Sequence, residues 1–187
     1  MSTAEPCNVQ AGRFGGWITT HTGRKFWPLD PRPEDLDIRD IAHALSLLCR
    51  YTGHCAWHYS VAQHSVYVCR NLPPPFKRWG LMHDASEAYL LDLAKPVKEF
   101  IPQYKEFELK LERVIAARFD LPWPMPPEVK EADTRMLMTE APVLLPDISD
   151  WTTEAEPYAD QHIVEWTPHG AERAFMHDYK LLWPNSK

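Results

Sequence analysis

Apolar residues recur along this chain mainly at helical spacing. From Asp37 onward, Ile38, Ile41, Ala42, Leu45, Leu48 and Cys49 fall on one face of a helix ending near Arg50. Ser60 followed by Gln63 forms a capping-box pattern that opens a second helix running to about Cys69. After the Pro73-Pro74-Pro75 run, a third helix is predicted from about Phe76 to Leu91. Phe107, Leu111, Val114, Ile115 and Phe119 give the inward face of a fourth, from Tyr104 to Phe119. The proline cluster 122–127 leads into a fifth, from about Glu128 to Leu145, and Thr167-Pro168 starts a last one reaching about Leu182.

The one strand signal lies early. Trp17-Ile18-Thr19-Thr20 and Lys25-Phe26-Trp27 flank Thr22-Gly23 and read as a small hairpin. The acidic, aromatic stretch 147–166 has no assignable period, and its aromatics suggest a surface for a partner or for self-association. The expected architecture is all-α: one helical-bundle domain, residues 13–187, with an N-terminal β-hairpin, after a flexible leader at 1–12.

Composition narrows the function classes. The 187 residues carry a formal charge of −6, with 44% hydrophobic and 25% charged residues, the profile of a globular protein. No basic face is available for duplex nucleic acid, whereas a small anion needs only a few focused cations. No apolar run approaches the roughly 18 residues that cross a bilayer. Met1–Gln10 lacks the features of a secretory signal. Four cysteines without a CxxC fit reduced thiols, and the expected location is cytoplasmic. A zinc site from Cys49, His54, Cys55 and His58 is disfavoured, because adjacent ligands at His54 and Cys55 would strain a compact loop.

His83-Asp84 is the centre of the candidate chemistry. Adjacent residues on a helix are rotated by about 100°, so both reach one ion only at the helix edge, with other helices closing the sphere. His64, early in the second helix, supplies a second imidazole. Asp133 stands among apolar Val129, Ala132 and Met136, where a carboxylate needs a partner such as a metal. Imidazoles with carboxylates suit one divalent ion among Co, Mn, Zn, Fe, Ni or Mg. Glu87 follows His83 by four positions and Asp84 by three, projecting beside the ion one turn on. Asp92 lies just past the helix end. A second pair, His177-Asp178, has no later Asp helix to complete a site, and His43 reads as a structural histidine.

The order His64 … His83-Asp84 … Asp133 resembles the H…HD…D signature of HD-domain phosphohydrolases. The stretch His83-Asp84-Ala85-Ser86-Glu87, continuing through Asp92, Pro96 and Lys98, is similar to the small branch containing bacterial 5'-deoxynucleotidases and phage dATP triphosphohydrolases. The likeness spans about residues 23–145, including Arg24 to Leu29, Asp40 to Ser46 and Tyr59 to Ser65. It implies a metal held by His64, His83, Asp84 and Asp133, with Glu87 and Asp92 as acid/base carboxylates and Lys98 screening phosphate charge. It also implies substrate contacts from Trp27, Arg24, Lys25 and Lys95. Where the deoxynucleotidases carry Arg before the tryptophan, this chain has Phe26. The implied activity is hydrolysis of a (deoxy)nucleotide phosphate by a metal-bound water, as a dNMP nucleotidase or a dNTP triphosphohydrolase, in a homo-oligomer. The competing class is an inactive nucleotide sensor or assembly subunit.

Overall fold

The computed structural model describes residue 10 and residues 12–185. All but Gln10 and Gly12 of the expected leader lies outside the described residues. The fold is an all-α bundle with a two-stranded N-terminal hairpin. Strands β1 (Ile18–Thr19) and β2 (Lys25–Phe26) pair antiparallel, Ile18 opposite Phe26, around a turn in which Gly23 takes a left-handed φ of 82°. Phe26 is fully buried and stacks on Tyr89 with ring centroids 3.9 Å apart, which ties the hairpin to the helices.

Helix α2 (Val61–Asn71) is the axis of the bundle. It packs against α1 (Ile38–Leu47), α3 (Lys77–Met82), α7 (Pro127–Leu144) and α8 (Pro168–Leu182). Every residue from Val61 to Cys69 is buried, so α2 has no solvent face before Arg70. Its polar residues Gln63, His64 and Ser65 therefore sit in the core, where each needs partners. Ser60 caps α2 by accepting from the Gln63 amide at 3.1 Å, but the Gln63 side chain does not return to complete the box. It donates instead to the Val164 carbonyl at 2.6 Å. Residues 147–166 thus form a strap across α2 and α7. Trp166 lies against Tyr67, and the Arg135 guanidinium donates to the Glu156 carbonyl at 2.8 Å.

Two helices end earlier than periodicity suggests. α1 stops at Leu47, because Arg50 N–H donates to the Tyr59 carbonyl and Val61 N–H to that of Leu48, a short antiparallel pairing that outcompetes further helix. The expected helix 76–91 divides into α3 and α4 (Glu87–Leu90). Between them the bonds Ala85 N–H to Met82 and Glu87 N–H to Asp84 span three residues rather than four, a tighter winding. His83-Asp84 lies in this overwound turn at the end of α3. A short helix α5 (Lys95–Lys98) and the long α6 (Pro102–Arg118) follow, with Leu111 and Ile115 of α6 in the core.

Gly80 lets α3 approach α2. A Cβ there would lie 2.5 Å from Leu72 Cδ1 and 3.0 Å from the Cys69 Cα, and the second of these is backbone that cannot swing aside. The substitution Gly80→Ala is expected to destabilise the chain by about 1–3 kcal/mol through overpacking. Urea denaturation measures this, and an unchanged midpoint would show that the two helices separate at no cost.

Candidate metal centre

His64 has no exposed surface, and its two ring nitrogens have different partners. Nδ1 lies 2.9 Å from Glu140 Oε2, while Nε2 lies 3.1 Å from Asp133 Oδ1 and 3.8 Å from Asp84 Oδ2. His83 is anchored in the same sense: Nδ1–H donates to the Gly80 carbonyl at 2.9 Å, a partner available because His83 follows Gly80 by three residues. Its Nε2 faces Asp84 Oδ2 at 3.2 Å and Asp133 Oδ1 at 3.8 Å. Both imidazoles are therefore pinned at Nδ1 and turn Nε2 toward a common centre, the arrangement that metal-ligating histidines adopt.

His64, His83 and Asp133 each offer one ligand atom, all within 4.8 Å of one another, and Asp84 borders the cluster. His83 Nε2 is buried with no aligned hydrogen bond, an orphaned atom that a cation would satisfy. Two imidazoles and a carboxylate form a donor set suited to a divalent transition metal. The cluster can hold a metal ion.

The electrostatics follow from packing opposite charges out of water. Burial alone would lower the pKa of the His83 imidazole, but the nearby Asp84 and Asp133 carboxylates more than offset this and hold it well above its ordinary value. His64 is likewise raised: burial and Arg50 oppose its charge, and Glu140 and Asp133 outweigh them. Burial pushes Asp84 up, yet His83 brings it down to about 2, and the two imidazoles hold Asp133 well below the usual range.

Glu140 is the residue that sequence patterning passed over. It is fully buried on α7 and takes the Tyr51 hydroxyl at 3.0 Å, the Arg50 Nε at 2.6 Å and His64 Nδ1. Arg50 is itself nearly buried and reaches to 3.8 Å from Asp84. The available signal was position: Val129, Ala132, Met136, Glu140 and Leu144 mark the buried stripe of α7, and Glu140 is the acid on it.

The remaining expected residues have mixed surroundings. Glu87 Oε2 is buried without a partner, and burial with Asp84 and Asp92 nearby holds its carboxyl well above the usual range. Asp92 is raised by burial against an opposing Arg50. On α6, burial and Glu108 push Glu112 up to about 7. Lys98 is not free: its ammonium pairs with Glu108. Arg24 donates to the Glu34 carbonyl and pairs with Asp37, while Lys25 sits over the Trp17 ring. Trp27 is buried beneath the Arg13 guanidinium, and Lys95 is exposed. The second His-Asp pair is structural on its acid side, since Asp178 takes two bonds from Arg70. His43 stacks on His21 at 3.7 Å. Cys49, His54, Cys55 and His58 do not form a metal-ligand group among the described residues.

No protein-family model matches the chain. It is 39% identical over 169 residues to the uncharacterized protein YfdR of Escherichia coli, spanning 89% of this chain and 95% of YfdR. The chain belongs to the YfdR family. An uncharacterized protein of Rhodobacter capsulatus is 38% identical over 126 residues, covering 62% of this chain and 64% of its own. Among the described residues, no helix is long and apolar enough to cross a membrane.

Two outcomes test the centre. A metal must displace the protons that the raised imidazoles hold, so affinity rises with pH, by about tenfold per pH unit for each proton released. Cobalt titrations at several pH values measure the slope; a flat profile would mean that no imidazole proton is exchanged. Substituting Glu140→Gln removes the charge that fixes His64 and is expected to weaken cobalt binding about 10–100-fold, read by the same titration.

Proposed function

We propose that this YfdR-family chain is an HD-type phosphohydrolase that uses one divalent metal to remove phosphate from a nucleotide, preferentially a deoxynucleotide. The observation that carries the reading is the meeting of two Nδ1-anchored imidazoles and Asp133 beside Asp84, in the chain order H…HD…D. A divalent ion held there supplies Lewis-acid polarisation of a phosphoryl oxygen and a water acidic enough to attack near neutral pH.

The other steps fall to the protein. His64, His83, Asp84 and Asp133 hold the ion, and Glu140 keeps His64 in the tautomer that presents Nε2. Glu87 retains its proton to higher pH than an ordinary carboxyl, so it is suited to protonate the leaving oxygen. Asp92, one loop away, takes the complementary role of base. Lys98 meets the phosphate once substrate displaces Glu108 from it, and its charge then counters the charge that builds during transfer. Whether the product is orthophosphate or tripolyphosphate separates nucleotidase from triphosphohydrolase.

A second reading, a nucleotide sensor without turnover, is favoured by one observation: Lys98, Arg24 and Lys25 all hold protein partners. The experiment is hydrolysis of dNMPs, dNTPs and matching ribonucleotides by metal-stripped protein reloaded with cobalt, manganese or zinc. Metal-dependent release abolished by Asp84→Ala supports the enzyme; nucleotide binding without release under any metal supports the sensor. Replacing Glu87 by Gln is expected to lower kcat about 10²–10⁴-fold while cobalt stoichiometry stays unchanged. Full activity in that variant would remove Glu87 from the proton path.

A further inference from the structure

The segment that carries Arg50 and Tyr51 is flanked by a pair of thiols that the hydrolytic reading does not use. Cys49 pairs with Ser60 in the short antiparallel bridge after α1, and Cys55 follows six residues later, beyond Arg50–His54. Both are free and partly exposed, with their sulfurs 3.4 Å apart. The loop between them is reversed by three consecutive left-handed residues, Tyr51 (φ 55°), Thr52 (φ 54°) and Gly53 (φ 80°), which bring its ends together. The sulfurs need to close by only about 1.4 Å to reach disulfide bonding distance.

We propose that Cys49 and Cys55 are a two-electron redox site, closing to an intrachain disulfide by exchange with a small-molecule disulfide such as oxidised glutathione. The Cys55 S–H is directed at the Trp57 carbonyl, 2.9 Å away, so Cys49 attacks first. Cys49 gives up its proton to solvent, and its thiolate bonds to one sulfur of the oxidant and expels the other half as a thiolate that takes up a proton. Cys55 then gives up its proton to solvent, attacks the Cys49 sulfur and expels the second half. Two protein thiols are oxidised, the small disulfide is reduced to two thiols, and both protons are conserved.

The closed loop contains Arg50 and Tyr51, the two groups that share Glu140 with His64. Drawing the sulfurs together therefore pulls on the support of a ligand-bearing imidazole. The oxidised form is expected to hold cobalt about 10-fold more weakly than the reduced form.

Arg50 is the only trypsin site between the two cysteines, so the disulfide joins peptides 40–50 and 51–70. The test equilibrates the full chain across ratios of oxidised to reduced glutathione, alkylates the remaining thiols, and digests without reductant. The expected result is the joined pair, with fragmentation assigning the bond to Cys55 rather than the buried Cys69, and with the pair kept in Cys69→Ser. Free alkylated thiols at every ratio, an arrest at glutathione adducts, or a bond to Cys69 would overturn the proposal. These readings need no hydrolytic activity, so they stand or fall apart from the proposed enzyme. Equal cobalt affinity of the two forms would overturn the coupling to the metal centre.

Discussion

Glu140 is a carboxylate with no exposed surface, set in the middle of a helical core. Removing one partner of such a buried ion pair costs about 3–5 kcal/mol, because the remaining charge is stranded away from water. Its compensation comes from three groups on two elements. Arg50 and Tyr51 arrive from the loop after α1, and His64 from α2. Burial works against the charged carboxylate, but Arg50 and His64 prevail and keep its pKa below the ordinary value. This knot joins α7, α2 and the 48–60 segment, and it fixes the rotation of the one imidazole that lies deepest in the bundle.

The same pairing of opposite charges extends to the ligand cluster. The His64 and His83 imidazoles face the Asp133 and Asp84 carboxylates, and Lys130 covers the second oxygen of Asp133 at 2.6 Å. What the protein provides is direction. Glu140 and the Gly80 carbonyl hold the two Nδ1 atoms, leaving both Nε2 atoms aimed inward.

Much of this was legible in the sequence because helical periodicity and metal ligands both leave local marks. The helices and the hairpin follow from spacing and turn chemistry, and the convergence of His64, His83 and Asp133 is what the H…HD…D resemblance implies. Three features did not. The break between α3 and α4 carries no proline or glycine at the turn itself, and periodicity continues through it because the tighter winding shifts the face only slightly. The end of α1 depends on pairing with Tyr59 and Ser60, a tertiary choice that a helical pattern extending through Cys49 conceals. Glu140 and Arg50 are ordinary surface residue types, recognisable as buried only once the apolar stripe of α7 is traced through position 140. Lys98 shows the opposite difficulty: its charge suits a phosphate, but the sequence does not reveal that Glu108 already holds it.

The central claim is that His64, His83 and Asp133 surround one metal ion, and diffraction from crystals soaked in cobalt, with anomalous data on both sides of the cobalt edge, tests it most directly. The account requires a single strong anomalous peak about 2.0–2.3 Å from His64 Nε2, His83 Nε2 and an Asp133 oxygen, with both Nδ1 anchors intact. A peak elsewhere, or none at the cluster at saturating cobalt, would contradict it.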